Sequence, residues 1–428
     1  MVALPFLVMT IALALGVPIA FCLAGSGMLG IYLMTGKWNI VMGILGMTSF
    51  STVADYGLMT VPMFILMAYF SSSSGLARDL YKAGASWLAH LRGGLGIATV
   101  FACGMFGALC GSSIAAASVM SAIAAPEMRQ HGYSEELAAG TISVGATLDI
   151  LIPPSIPMVI YGIATQNSIA KLLIAGIVPG IIVGIFLAAI VYIWALIRPK
   201  DAPRTPPVPW VERWLSLRAV WASLVLIVIV IVFLYGGFCT PSEIAALGAF
   251  FAGLIGVSTG RLKWPGIWEA LKATIRTSAM IFMILIGANI FGYYMALSRV
   301  PQHVVEIVSV MHLSRYMVII GIVVVYFVIS MFMDEIPLML LILQLTYPLI
   351  TSMGFDPIWY GVLMVQMICM GLVFPPVAVV AIVVSATAKI GLLKVYTGCC
   401  VMVIAIILGT IILILFPETA TWLPSMMR

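Results

Sequence analysis

The chain has 428 residues, of which 63% are hydrophobic and only 8% charged, and its mean hydropathy is +1.20. A soluble domain carries roughly a quarter charged residues, so these figures exclude a soluble globular protein and indicate an all-α polytopic membrane protein. The formal net charge of +5 belongs to connecting segments, with nothing to suggest nucleic-acid binding, and the seven cysteines show no CxxC or Cys/His spacing that would mark a disulfide framework or a transition-metal site.

In chain order, residues 1–36 form the first charge-free run. It has no basic leader, so it reads as a retained span rather than a cleaved signal peptide. Further charge-free runs cover 172–197, 219–242, 244–260, 277–298 and 395–417. All but 244–260 exceed the roughly 20 apolar residues that cross a bilayer as a helix, and that one is borderline. Basic residues cluster at Arg78, Lys82 and Arg92, at 198–218 and at 261–276, which the positive-inside rule places in the cytoplasm. The segment 198–218, "RPKDAPRTPPVPWVERWLSLR", is a proline-rich linker that cuts the chain near its middle.

Residues 93–126 carry no charge. As one helix they would reach about 51 Å, too long for a core of about 30 Å, so a re-entrant hairpin turning at "GALCGSS" (107–113) fits better. A second hairpin lies between Arg315 and Asp356, its only charges being Asp334 and Glu335 at the centre. Each hairpin is preceded by a more polar amphipathic stretch, 77–94 and 298–315, expected to lie along the membrane surface. A constant offset of 222 pairs Pro126 with Pro348, Gly132 with Gly354, Pro153-Pro154 with Pro375-Pro376, Gly176 with Gly398, and Ser112 with Asp334. Repetition of helix breakers at a fixed spacing argues for two halves. The basic flanks of the first hairpin, Arg92 and Arg129, against Asp356 at the end of the second, favour opposite orientations.

The stretch "DILIPPSIP" (149–157) holds the chemistry. Each proline of the pair lacks an N–H and leaves a carbonyl one turn earlier without its donor, which hydrocarbon does not tolerate. Oxygen-rich unwound segments of this kind hold Na⁺ at the midplane of secondary transporters, and Asp149 stands one turn before Pro153. Intramembrane carboxylates default to function, which singles out Asp149 and Asp334; helix capping or packing is the bland reading for these two, for Glu335, and for Ser112 and Ser113. His90, His131, His303 and His312 fall in polar connections, and the 28 methionines read as adaptable packing.

The segments "GVPIAF" (16–21), 73–118, "APEMRQHGYSEELAAG" (125–140), "LDILIPPSIPMVIYG" (148–162) and "NSIAKLLIAGIVPG" (167–180), with looser matches at "MDEIP" (333–337) and 354–378, closely resemble the large membrane subunit of tripartite ATP-independent periplasmic (TRAP) transporters. That resemblance implies an elevator-type, Na⁺-coupled importer with inverted repeats in the bacterial inner membrane. It would need no cofactor, only Na⁺ as coupling ion, and would move a small carboxylate delivered by a periplasmic binding protein, beside a small four-helix membrane subunit. The implied organisation is scaffold at 1–75, an arm helix at 76–92, a first transport half at 93–173, scaffold at 174–297, a second arm at 298–314, a second transport half at 315–394 and a C-terminal helix at 395–428.

The implied ion-binding residues are Gly111, Ser112, Ser113, Asp149, Ile152, Pro154, Met333, Asp334, Phe374 and Pro376. Those implied for substrate are Ser113, Pro153, Ser155, Asp334, Glu335 and Pro375. The chain departs from the family in having Asp149 for a usual Gly, Phe374 for a usual Thr, and Tyr69 and Phe70 for Gly-Asn. A stand-alone Na⁺- or H⁺-coupled symporter is the alternative. An intramembrane aspartyl protease using Asp149 and Asp334 lacks the glycine-aspartate pattern of such enzymes.

Overall fold

A computed structural model describes residues 3–311 and 313–427; His312 lies outside them. The described residues are helical, with no strand, and seven helices among them are long and apolar enough to cross a membrane: Tyr56–Ser73, Ile169–Ile197, Trp210–Tyr235, Pro241–Ser258, Trp264–Ser298, Glu335–Ser352 and Leu392–Leu415. The chain is a multi-pass membrane protein. Lipid is as apolar as the helices, so packing rests on close approach rather than on expulsion of water. Gly140 and Gly398 do this most directly, lying backbone to backbone where the first half meets the second.

The N-terminal run is two helices, Ala3–Ala14 and Ile19–Thr35, and not one span. Gly16 at φ +80° and Pro18 break it. The borderline run at 244–260 starts earlier, because Thr240 and Glu243 form a reciprocal capping box and the charge is the helix cap. The C-terminal segment is the span Leu392–Leu415, with a one-residue irregularity at Val403, followed by a short helix, Glu418–Ser425. The amphipathic stretches are shorter than the sequence pattern indicates, Leu76–Leu88 and Val300–Val310. Each begins at a left-handed residue, Gly75 at φ +71° and Arg299 at φ +54°. The first is well buried against its neighbours, whereas Pro301 is the buried residue of the second.

Both long charge-poor segments fold as helix, break, helix. The first runs Gly94–Cys110 and Ser113–Gln130, the second Arg315–Ser330 and Glu335–Ser352, and within each the two limbs pack together. The following helices are interrupted as well. Glu135–Ala146 passes through a 3₁₀ turn, Thr147–Ile150, and resumes as Ile156–Thr165; Pro357–Gly371 resumes as Val379–Ala388. Positions 222 apart take matching backbone roles. Gly132 and Gly354 both have φ +76°, and Ser134 and Asp356 both cap helices.

The three basic clusters come together on one face. Arg261 pairs with Asp79 beside Arg78 and Lys82, and Trp87 Nε1 donates to the Arg213 carbonyl at 3.2 Å. On that face Glu135 bridges Arg129 at 3.3 Å and Lys394 at 3.0 Å, tying the first hairpin to the end of the chain. The ends of the second hairpin meet elsewhere: Arg315 stacks over Phe355 at 5.7 Å, and Tyr161 Oη donates to the Pro357 carbonyl at 2.6 Å. His90, His131 and His303 are exposed, and the described cysteines are all free.

Candidate functional site

The first hairpin turns at Gly111, whose φ of +59° closes the entering limb by an N–H to the Gly107 carbonyl at 2.9 Å. A side chain there would stand 2.9 Å from the Pro154 carbonyl, so the tip rests directly on the proline pair. Ser113 opens the returning limb, and its Oγ donates to Asp149 Oδ1 at 2.7 Å. Gly111, Ser113, Asp149 and Pro154 are thereby one cluster, assembled from the first hairpin and the first broken helix, 36 residues apart at the hydrogen bond.

Asp149 is fully buried, and its Oδ2 has no hydrogen-bond partner among the described residues. No ion pair reaches it among the described residues. A buried carboxylate without countercharge is strongly disfavoured, so this oxygen is poised for a cation or a proton. The close approach of residue 149 to the hairpin depends on Gly107, where an added Cβ would lie 2.5 Å from the Asp149 Cβ and 2.6 Å from its Cα. Ser155 is also fully buried, and its hydroxyl accepts from Met158 N at 3.4 Å as a helix cap. Ile152 packs on Gly104 and Gly180.

The second break differs in chemistry. Asp334 caps the helix that follows, accepting from the Glu335 N–H at 2.9 Å, while Glu335 is buried with Oε2 unpartnered. Phe374 packs edge-on against Phe327 at 5.1 Å, so an aromatic pair stands at this break. The Pro376 carbonyl accepts from Tyr396 Oη at 2.9 Å, which occupies part of its capacity as a ligand. Met333 and Pro375 are half-buried and Pro376 is exposed, unlike the buried Pro153 and Pro154.

The two tips meet at a cavity of about 310 Å³, where Ser112 of the first faces Asp334 and Glu335 of the second. Ser113 and Asp149 are not in its wall; they lie behind the tip. Three other polar residues, Tyr69, Ser72 and Thr277, close the cavity from the long helices outside the hairpins. Tyr69 Oη and Thr277 Oγ1 are 3.3 Å apart. Ser72 and Thr277 are ordinary hydroxyls in apolar helices, with no local signal, whereas Tyr69 is visible only as a departure from the family. A separate polar recess of about 480 Å³, with Asp55, Asn289 and Tyr347 in its wall, lies further along the same helices. No cluster of three or more His, Cys, Asp or Glu capable of holding a metal ion occurs among the described residues.

Comparison with known proteins gives this geometry a context. The profile of the family described as "Tripartite ATP-independent periplasmic transporter, DctM component" matches residues 6–419. The C4-dicarboxylate TRAP transporter large permease protein DctM of Vibrio cholerae is 32% identical, over 100% of this chain and 98% of its own length. The ectoine TRAP transporter large permease protein TeaC of Halomonas elongata is 32% identical over 96% of both chains. Among solved structures, the Alcanivorax borkumensis YdaH transporter superposes with a TM-score of 0.66, covering 90% of each chain at 14% identity, a likeness of fold alone. On the whole-length profile match and these relatives, the chain belongs to the DctM component family of tripartite ATP-independent periplasmic transporters, a family of transport permeases and not of enzymes.

Proposed function

We propose that this chain is the large transmembrane subunit of a Na⁺-coupled importer of the bacterial inner membrane, taking a small organic acid from a periplasmic binding protein and working beside a small four-helix membrane subunit. The observation that carries the reading is the Ser113–Asp149 contact, a buried carboxylate with a vacant oxygen at a hairpin tip resting on a broken helix. The Pro154 carbonyl, which lies against the tip at Gly111, together with oxygens of Gly111, Ser112 and Ile152, would complete a donor set of the kind that Na⁺ favours in transporters. The second ion site, around Met333, Asp334, Phe374 and Pro376, is the weaker of the two, because the Phe374 side chain brings no oxygen. Ser112, Asp334, Glu335 and the wall residues Tyr69, Ser72 and Thr277 then contact the solute, with Ser155 and the proline pairs as its backbone support.

The organic acid class rests on the Vibrio cholerae relative. The matched backbone roles at offset 222 support inverted repeats, as does the contrast between the first hairpin, whose ends lie on the basic face, and the second. In an elevator cycle the hairpins and broken helices would move together against the remaining helices, pivoting near Gly75 and Ser298, with the basic face in the cytoplasm.

The test is uptake of radiolabelled succinate into proteoliposomes holding this chain, the small subunit and the binding protein. Uptake should need all three and an inward Na⁺ gradient, and should fall at least tenfold in Asp149→Asn. Uptake by this chain alone would refute the three-part reading in favour of a stand-alone symporter.

A further inference from the structure

A cavity of about 740 Å³ adjoins the central one and shares Ser72 and Ser118 with it. Its wall on one side is the helix Leu76–Leu88, which contributes Arg78, Asp79 and Lys82; opposite stand Ser118 of the first hairpin and Thr387 of the second broken helix. The acid in this wall, Asp79, is neutralised by Arg261, whose Nη1 also donates to the Ser74 carbonyl at 3.3 Å. Arg78 and Lys82 have no carboxylate partner among the described residues. The cavity therefore holds two uncompensated positive charges, together with the hydroxyl-bearing residues Ser72, Ser118 and Thr387.

The recess containing Asp55 shares no wall residue with the central cavity, so of these two it is the basic cavity that adjoins the hairpin tips. Cations and hydroxyls together suit carboxylates and other oxyanions. Charges of one sign between low-dielectric walls also concentrate field and raise local counter-ion concentration. The geometry points to a vestibule for small organic anions, with Arg78 and Lys82 as its selectivity residues, lying between the central cavity and the basic face. It rests on the proposed function for the identity of the anion as the transported solute, but not for its charge selectivity. The same chemistry would also attract an anionic lipid headgroup, and the experiment separates the two.

The probe is a pair of methanethiosulfonates, one bearing a sulfonate and one a trimethylammonium group. They are applied to the full chain carrying Ser118→Cys in a Cys239→Ser/Cys400→Ser background, since Cys239 and Cys400 are the native thiols not buried. In phosphatidylcholine vesicles the sulfonate reagent should modify Cys at 118 faster than the cationic one. Arg78→Gln with Lys82→Gln should lower that ratio roughly tenfold, the lower end of electrostatic steering. A Thr165→Cys site in the other recess should show no such change, which also reports that the double variant is folded.

An unchanged ratio in the double variant would overturn the assignment. So would a preference that disappears when phosphatidylglycerol is added, because headgroups would then occupy the charges. If succinate uptake by the three-part system fails while the ratio behaves as expected, the vestibule stands and the functional reading falls.

Discussion

Asp149 and Gly107 face each other across the seam between the first hairpin and the broken helix, and the missing side chain at one makes room for the carboxylate at the other. Replacing Gly107 with Ala puts a methyl group 2.5 Å from the Asp149 Cβ, an overpacking expected to cost about 1–3 kcal/mol. The clash involves the Asp149 backbone as well, whose Cα would lie 2.6 Å from that methyl, so Asp149→Gly should leave most of the loss in place in the double variant. The check is a double-mutant cycle of thermal unfolding midpoints; full recovery by Asp149→Gly would show that only the side chain competes for this space. Of the site residues, Asp149, Asp334 and Glu335 could be found in the sequence because charge in an apolar run is conspicuous. Ser72 and Thr277 could not, because a hydroxyl in a helix usually bonds the preceding turn and only the fold shows which ones face a cavity. Phe374 was visible as a departure from the family, but its edge-on contact with Phe327 depends on how a hairpin limb docks.

At the scale of elements, breaks were easier to read than ends. Prolines and charge-free lengths gave both hairpins and both interruptions, since a helix cannot continue past Pro-Pro and a 34-residue apolar helix would overshoot the bilayer. The arm helices end short of their amphipathic patterns, at Leu88 and Val310, because periodicity does not register where a helix stops, as at the turn that leads to Gly93 at φ +69°. The split of the N-terminal run at Gly16 was missed for the opposite reason: hydropathy stays high straight across it. If the hairpins and broken helices move against the other helices, Ser72 and Ser118 belong to different bodies. Cysteines at these two positions joined by a short bismaleimide should abolish succinate uptake while leaving docking of the binding protein intact. Full uptake in the bridged protein would sink the elevator reading.

For the whole molecule, composition and spacing were enough to establish a helical, multi-pass architecture, because a bilayer admits few other solutions. They could not supply the assembly of the three basic clusters, which depends on Trp87 meeting Arg213 and Asp79 meeting Arg261 across more than a hundred residues. If Na⁺ binds the folded chain at Ser113 and Asp149, it should stabilise it by about 2.7 kcal/mol at a hundredfold excess over Kd. The measurement is the unfolding midpoint in NaCl against KCl and choline chloride at equal ionic strength, with the Na⁺-specific rise absent in Ser113→Ala. Equal midpoints in the three salts would remove Na⁺ from this site. The arrangement of cavities also has an electrical meaning. Ile156 borders the central cavity and Ile163 the recess beyond, two helical turns apart, which is about 10 Å in a hydrocarbon core of about 30 Å. Water in the cavities on either side would leave the transmembrane voltage to fall mainly across that thin plug, so a charge crossing it would feel most of the roughly 2.3 kcal/mol per 100 mV within about a third of the bilayer's depth.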